Sequence, residues 1–141
     1  MNNEVKYVLS QAILNGACMQ SSKATDWKSL AWLFFSPQGC EFCKKHNFPS
    51  IGEFRKMKGH VESYGVHIEE PINAYNEDIA IIGDSGSISE LSFKGVSKTY
   101  KVILMHGARV HISAGNYAVV RIENISGYYS ITNDGTAKIL L

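Results

Sequence analysis

The sequence predicts an α+β chain, a helical N-terminal half of about four short helices followed by an all-β C-terminal half, with the change at residue 65. Three observations carry this prediction. Up to residue 64 the apolar residues recur three and four apart, the spacing of one helix face; beyond it they alternate, the spacing of a strand. The alternating pieces are only three to six residues long and are bounded by Gly, Asn, Asp or Ser. Their last apolar residues in the final five pieces fall at 104, 112, 122, 131 and 139, a repeat of 8 to 10 residues.

Composition bounds what such a chain does. With 141 residues it is long enough to bury about two thirds of its unfolded surface, so it needs no disulfide or metal to hold a core. Its hydrophobic content of 45% with 19% charged residues is that of a globular protein. A formal charge of +1 supplies no field to recruit nucleic acid or an anionic membrane. Residues 1–64 carry 8 Lys/Arg against 5 Asp/Glu, and residues 65–141 carry 6 against 8, so the halves are +3 and −2. The basic excess gathers at Lys44, Lys45, Arg55, Lys56 and Lys58, without the interleaved aromatic residues of a single-strand binder; it reads as a solvated helical face.

The helical region, residues 1–64, is read element by element. Val5, Val8, Leu9, Ala12, Ile13 and Ala17 make the apolar stripe of a first helix. Thr25 is placed as N-cap of a second, in which Trp27, Leu30, Leu33 and Phe34 face inward. Pro37 after Ser36 opens a third helix that runs to about His46, because proline suits the first helical position. Ser50 with Glu53 forms a capping-box pattern for a fourth, with Ile51, Phe54, Met57, Val61 and Tyr64 inward and Gly65 as its stop; Gly59 is positioned to break it early.

In the β-rich region, residues 65–141, the pieces are Val66/Ile68, Ile79/Ile81, Ile88, Leu91/Phe93, Val102/Leu104, Val110/Ile112, Val120/Ile122, Tyr129/Ile131 and Ala137/Ile139. Two architectures fit this regularity. One is a jelly-roll-like sandwich, whose hairpins fall at such intervals. The other is a β-solenoid, in which two or three repeats complete one coil. Hairpin signals are scarce in residues 65–141, with Asp134-Gly135 the only Asp-Gly and no Asn-Gly there, and the pieces are short, which favours the solenoid. An open or stacked sheet leaves edges, so self-association into a homo-oligomer is expected.

The chemistry-bearing residues give two rival readings to a non-enzymatic one. Cys40 and Cys43, in FFSPQGCEFCKKHNFPS, have a local resemblance to thioredoxin and glutaredoxin sites. That resemblance implies a thiol-disulfide oxidoreductase with Cys40 attacking and Cys43 resolving. It is confined to the motif: no alternating strand and helix order follows, and Pro49 cuts the motif helix short. Alternatively Cys40, Cys43 and His46, three apart on one helix face, take His60 as fourth ligand of a zinc-stabilised interaction module. The third reading packs the cysteines as small apolar groups.

Elsewhere the signals are weaker. His67, His106 and His111 suggest a metal cluster of a cupin-like barrel, but Glu123 is the only nearby acid, and His111 between Val110 and Ile112 points to solvent. Ser85 and Ser87 in GDSGS belong to a turn, and Gly107, Gly115 and Gly127 to turns or coil corners. Three cysteines with uneven spacing do not make a secreted disulfide framework. Leu14 stands four residues before Cys18 where a lipoprotein signal needs it three before, and no window is apolar enough for a membrane helix.

FFSPQGCEFCKKHNFPS together with VILMHGARVHISAGNYAVV is similar to a group of small proteins of mobile elements and phages of gut Bacteroidetes. The resemblance implies no activity, cofactor or ligand set. The expectation is therefore a non-enzymatic structural or interaction module without a cofactor, self-assembling, in the cytoplasm or in a virion, with a protein partner rather than nucleic acid or membrane.

Overall fold

The computed structural model describes residues 35, 37–47 and 49–141. The chain divides into two compact units, Met1–Tyr64 and Gly65–Leu141. The two helices expected over residues 3–19 and 25–34 lie outside the described residues.

Within the first unit, helix α1 spans Pro37–His46 and helix α2 spans Ile51–Met57. Proline at the first position of α1 costs no hydrogen bond, because the first N–H groups of a helix have no intrahelical acceptor. Lys44, Lys45 and His46 fill its last turn, where the carbonyl ends favour positive charge. Helix α2 starts in a complete capping box: the Glu53 N–H donates to Ser50 Oγ (3.2 Å), and the Ser50 N–H donates to Glu53 Oε2 (3.0 Å). Its end falls at the earlier of the two stops read from the sequence, Gly59 rather than Gly65. The helix stops at Met57 because Lys58 adopts extended geometry and Gly59 a positive φ of 91°, and only a short 3₁₀ turn at Glu62–Tyr64 follows. Phe54, Met57 and Val61 are buried as expected, whereas Tyr64, expected to face inward, is exposed.

The second unit is a β-solenoid. Its strands are β1 Val66–Ile68, β2 Asn73–Tyr75, β3 Ile79–Ile82, β4 Ser89–Lys94, β5 Thr99–Met105, β6 Arg109–Gly115, β7 Val119–Asn124, β8 Tyr128–Asn133 and β9 Lys138–Leu140. Odd strands stack as a five-stranded sheet, β1-β3-β5-β7-β9, and even strands as a four-stranded sheet, β2-β4-β6-β8. Every pairing is parallel. That excludes the antiparallel sandwich, whose hairpins would place consecutive strands side by side. Two successive strands make one coil, which is why the 8-to-10-residue repeat of the sequence is half a structural period.

Registered columns of apolar side chains fill the space between the sheets. Ile79, Val102 and Ile122 align on one side, and Leu91, Ile112 and Ile131 on the other. Phe93 stacks beside Ala114, large against small, and tilts against Tyr100 at 5.3 Å between ring centroids. The single buried polar side chain among the described residues, Ser89, accepts the Ile72 N–H at 3.1 Å and so satisfies a backbone donor where no strand does.

The corners hold the coils in register through side-chain amides and carboxylates. Asn76 acts as a surrogate strand residue: its Nδ2 donates to the Lys94 carbonyl (2.9 Å) and its Oδ1 accepts the Lys94 N–H (2.7 Å) one coil on. Asp78 accepts the Lys101 N–H (3.0 Å), and Asp134 accepts the Asn116 N–H (3.1 Å). Gly127 is dictated by space: a Cβ there would lie 2.8 Å from the Leu104 Cβ and 2.9 Å from the Ala108 carbonyl oxygen.

Two sequence expectations change here. Strand β2, Asn-Ala-Tyr, was not expected, because only Ala74 between exposed neighbours marks it. Ile88, expected as a strand piece of its own, lies just outside β4 and is 57% exposed.

Candidate functional site

The residues with the most distinctive chemistry are placed out of reach. Cys40 and Cys43 are both thiols and both buried, Cys43 completely. Cys40 is the fourth residue of α1, a turn inside the helix, where the positive end of the helix dipole has largely faded. Burial, reinforced by neighbouring Cys40, pushes the Cys43 thiol up to about 12. A resolving thiol with that value is protonated at neutral pH and is a poor nucleophile. His46 is exposed and packs at a 42° tilt against Phe42 of the same helix, 4.6 Å between ring centroids, and His60 is exposed. Among the described residues no group of three or more His, Cys, Asp or Glu could hold a metal ion. The cysteines thus lie on a buried face of α1, whereas the five basic residues Lys44, Lys45, Arg55, Lys56 and Lys58 are exposed.

The three histidines of the β region do not converge. His67 lies on β1 and pairs with Glu70 at 2.7 Å. His106 sits at the corner between β5 and β6 with φ 57°, its N–H donating to Ser126 Oγ. His111 is on the outward side of β6, as its flanking Val110 and Ile112 imply. GDSGS forms the turn between β3 and β4: Asp84 Oδ1 accepts the Gly86 N–H (2.8 Å) and both Nε (3.1 Å) and Nη2 (3.0 Å) of Arg109. These bonds, the Gly86 one foremost, hold the Asp84 carboxyl below the usual carboxylate range.

What the topology does bring together is the outward face of the four-stranded sheet. Strand alternation sends Leu91, Val110, Ile112, Tyr129 and Ile131 into the core, and their neighbours out. The register sets those neighbours in rows across the strands. Asn73, Glu90, His111 and Ser130 make one row; Tyr75, Ser92, Ser113 and Thr132 make the next; Arg109 and Tyr128 make a third. His111 ties two rows together, because Nδ1 meets Ser130 Oγ at 2.7 Å and Nε2 meets Thr132 Oγ1 at 3.0 Å. Both ring nitrogens thus hold a hydroxyl of β8, and the imidazole fixes the orientation of the two.

Exposed aromatic side chains stand at the borders of this face. Tyr75 is 62% and Tyr128 69% exposed, on the first and last strands of the sheet and at opposite ends of them. Ile88 lies beside the start of β4, and Val96 and Tyr117 occupy the adjacent corners that leave β4 and β6. Leu141 apart, these five are all the exposed large hydrophobic residues described in this unit. Sequence reading missed the face because its residues are ordinary singly and gain meaning only through the parallel register.

No protein-family model matches the chain, and neither a search of curated proteins nor one of solved structures finds a match. Among the described residues no helix is long and apolar enough to cross a membrane.

Proposed function

We propose that this chain is a non-enzymatic structural and interaction module: the solenoid presents a flat face to a partner, and copies of the chain associate. The observation that carries the proposal is the outward face of the four-stranded sheet, where the solenoid's exposed aromatic residues border rows of hydroxyl, amide and imidazole groups. Parallel ladders fix those rows at about 4.8 Å per strand, so the surface is preorganised and loses little entropy on contact.

Association between copies is supported by the sheet edges. Strands β1, β2, β8 and β9 each have one hydrogen-bonded neighbour among the described residues. Tyr129, Ile131 and Ile139 are only half-buried at the β8 and β9 end. Unpaired strand edges with apolar side chains beneath them favour pairing with another chain.

The cytoplasm, or a virion for a phage-encoded chain, is the proposed location, and the near-neutral charge supports neither nucleic acid nor membrane as partner. Genome neighbourhood tests the mobile-element origin: housekeeping surroundings in every genome that encodes the chain would contradict it. Size-exclusion chromatography with light scattering tests the assembly. A mass above the 15.6 kDa of one chain is expected, and a strict monomer at high concentration would contradict it.

A further inference from the structure

We infer that the outward face of the four-stranded sheet binds a neutral, polyhydroxylated polymer, an uncharged polysaccharide chain lying across the strands. The inference rests on the proposed reading of this face as the interaction surface and adds the chemical class of its occupant.

The arrangement of apolar and polar groups argues for this class. Protein interfaces carry an apolar, aromatic centre inside a polar rim. Here the order is reversed: the two central strands β4 and β6 present Glu90, Ser92, His111 and Ser113, and the aromatic rings stand on the edge strands, Tyr128 there beside Ser130 and Thr132. A polymer with hydroxyls along its edges and C–H groups on its ring faces matches both parts. Its ring faces stack on tyrosine, which offers apolar area with a polar tip. Its hydroxyls both donate and accept, as do the serine, threonine and imidazole groups of the rows.

Charge narrows the class further. Arg109 is already engaged with Asp84, leaving one carboxylate, Glu90, and one amine, Lys94, on β4. Such a balance does not select an anionic polymer. The dimensions suit an extended occupant. Tyr75 and Tyr128 are three strand steps and two rows apart, roughly 14 Å across the strands and about 13 Å along them. A single sugar cannot touch both rings, whereas a chain of several can.

The test is affinity electrophoresis of the full chain in native gels containing hydroxyethylcellulose, xylan, glucomannan or dextran, with polygalacturonate as the charged comparison. Retardation by at least one neutral polymer is expected, weakened about thirtyfold in the Tyr75→Ala/Tyr128→Ala double variant, since the two rings contribute on the order of 1 kcal/mol each. Tyr75→Phe and Tyr128→Phe keep the rings and retain binding; they guard against a double variant that fails to fold. Absence of retardation by all four neutral polymers overturns the inference, as does retardation by polygalacturonate alone or undiminished binding by a folded double variant. If the neutral polymers fail while the double variant loses the association seen by light scattering, the face serves a protein contact, and only the polysaccharide assignment falls.

Discussion

The two outward faces of the solenoid obey different rules although the inward faces are alike. On the five-stranded sheet the outward residues Val66, Ile68, Ala80, Ile82, Ile103 and Met105 are all fully buried, and the face turns polar only at Thr99 and Lys101 on β5 and at Arg121 and Glu123 on β7. On the four-stranded sheet the equivalent positions are Asn73, Tyr75, Glu90, Ser92, His111, Ser113, Ser130 and Thr132. The inward columns specify the solenoid; the outward ones specify what each side does. The buried outward face contributes to stability as a core does, and the other is left in solvent with Tyr75 and Tyr128 exposed.

The largest effect that sharpens this contrast is loss of a buried outward residue. Ile103→Ala is expected to lower stability by about 2–5 kcal/mol in urea denaturation, as for a core position, because its side chain is fully buried. Ser113→Ala, on the outward face of the other sheet, should change stability by no more than about 0.5 kcal/mol. Equal effects of the two would break the comparison. Gly127→Ala comes next, at about 1–3 kcal/mol, since its new methyl meets the Leu104 Cβ and a backbone carbonyl that cannot move independently.

A smaller, pH-dependent effect belongs to the buried cysteine. The folded state holds the Cys43 thiol up near 12 against an ordinary 9.0, so its proton favours the native chain. The contribution is complete below pH 9 and is lost as pH rises from there toward 12. Thermal melting across that range should show a steeper decline for wild type than for Cys43→Ala, and parallel curves would remove the assignment. Native protein should also resist thiol alkylation at Cys43 near neutral pH until unfolded.

The smallest effect runs the other way. Asp84 and Asp134 are held below the ordinary 3.8, Asp84 chiefly by the Gly86 N–H and Asp134 chiefly by the Thr136 hydroxyl. Their stabilisation is present above that value and is lost as pH falls through their lower folded values. Asp134→Asn should flatten the acid limb of the melting curve slightly, and an unchanged limb would show that the corner contributes nothing there.

How far the sequence disclosed this structure depended on whether an element had one buried face or two. Where one face is buried, alternation located the strands: Val110/Ile112 and Val120/Ile122 fall within β6 and β7. Where both are buried, in IAII of β3 and VILM of β5, alternation gives way to a continuous apolar run, which also marks parallel strands covered on both sides. The choice between sandwich and solenoid turned on pairing partners, which a repeat length does not contain. In the helical unit the capping box of Ser50 and Glu53 was legible and Gly59 was marked as an early stop, but the choice between Gly59 and Gly65 was not, since the apolar stripe runs on to Val61.

The candidate site was harder to read for a physical reason. Cys-x-x-Cys is conspicuous in sequence, yet reactivity is set by exposure and local field, which spacing does not contain: both thiols are buried and burial raises that of Cys43. His111, Ser130 and Thr132 are inconspicuous because they are 19 and 21 residues apart, and only the parallel pairing of β6 with β8 places them side by side.

The proposed association of the solenoid through its sheets is tested most directly by light scattering on the full chain over a wide concentration range. The account predicts a defined oligomer whose mass is a multiple of 15.6 kDa and which dissociates on dilution. A chain that remains a monomer at every concentration would contradict it.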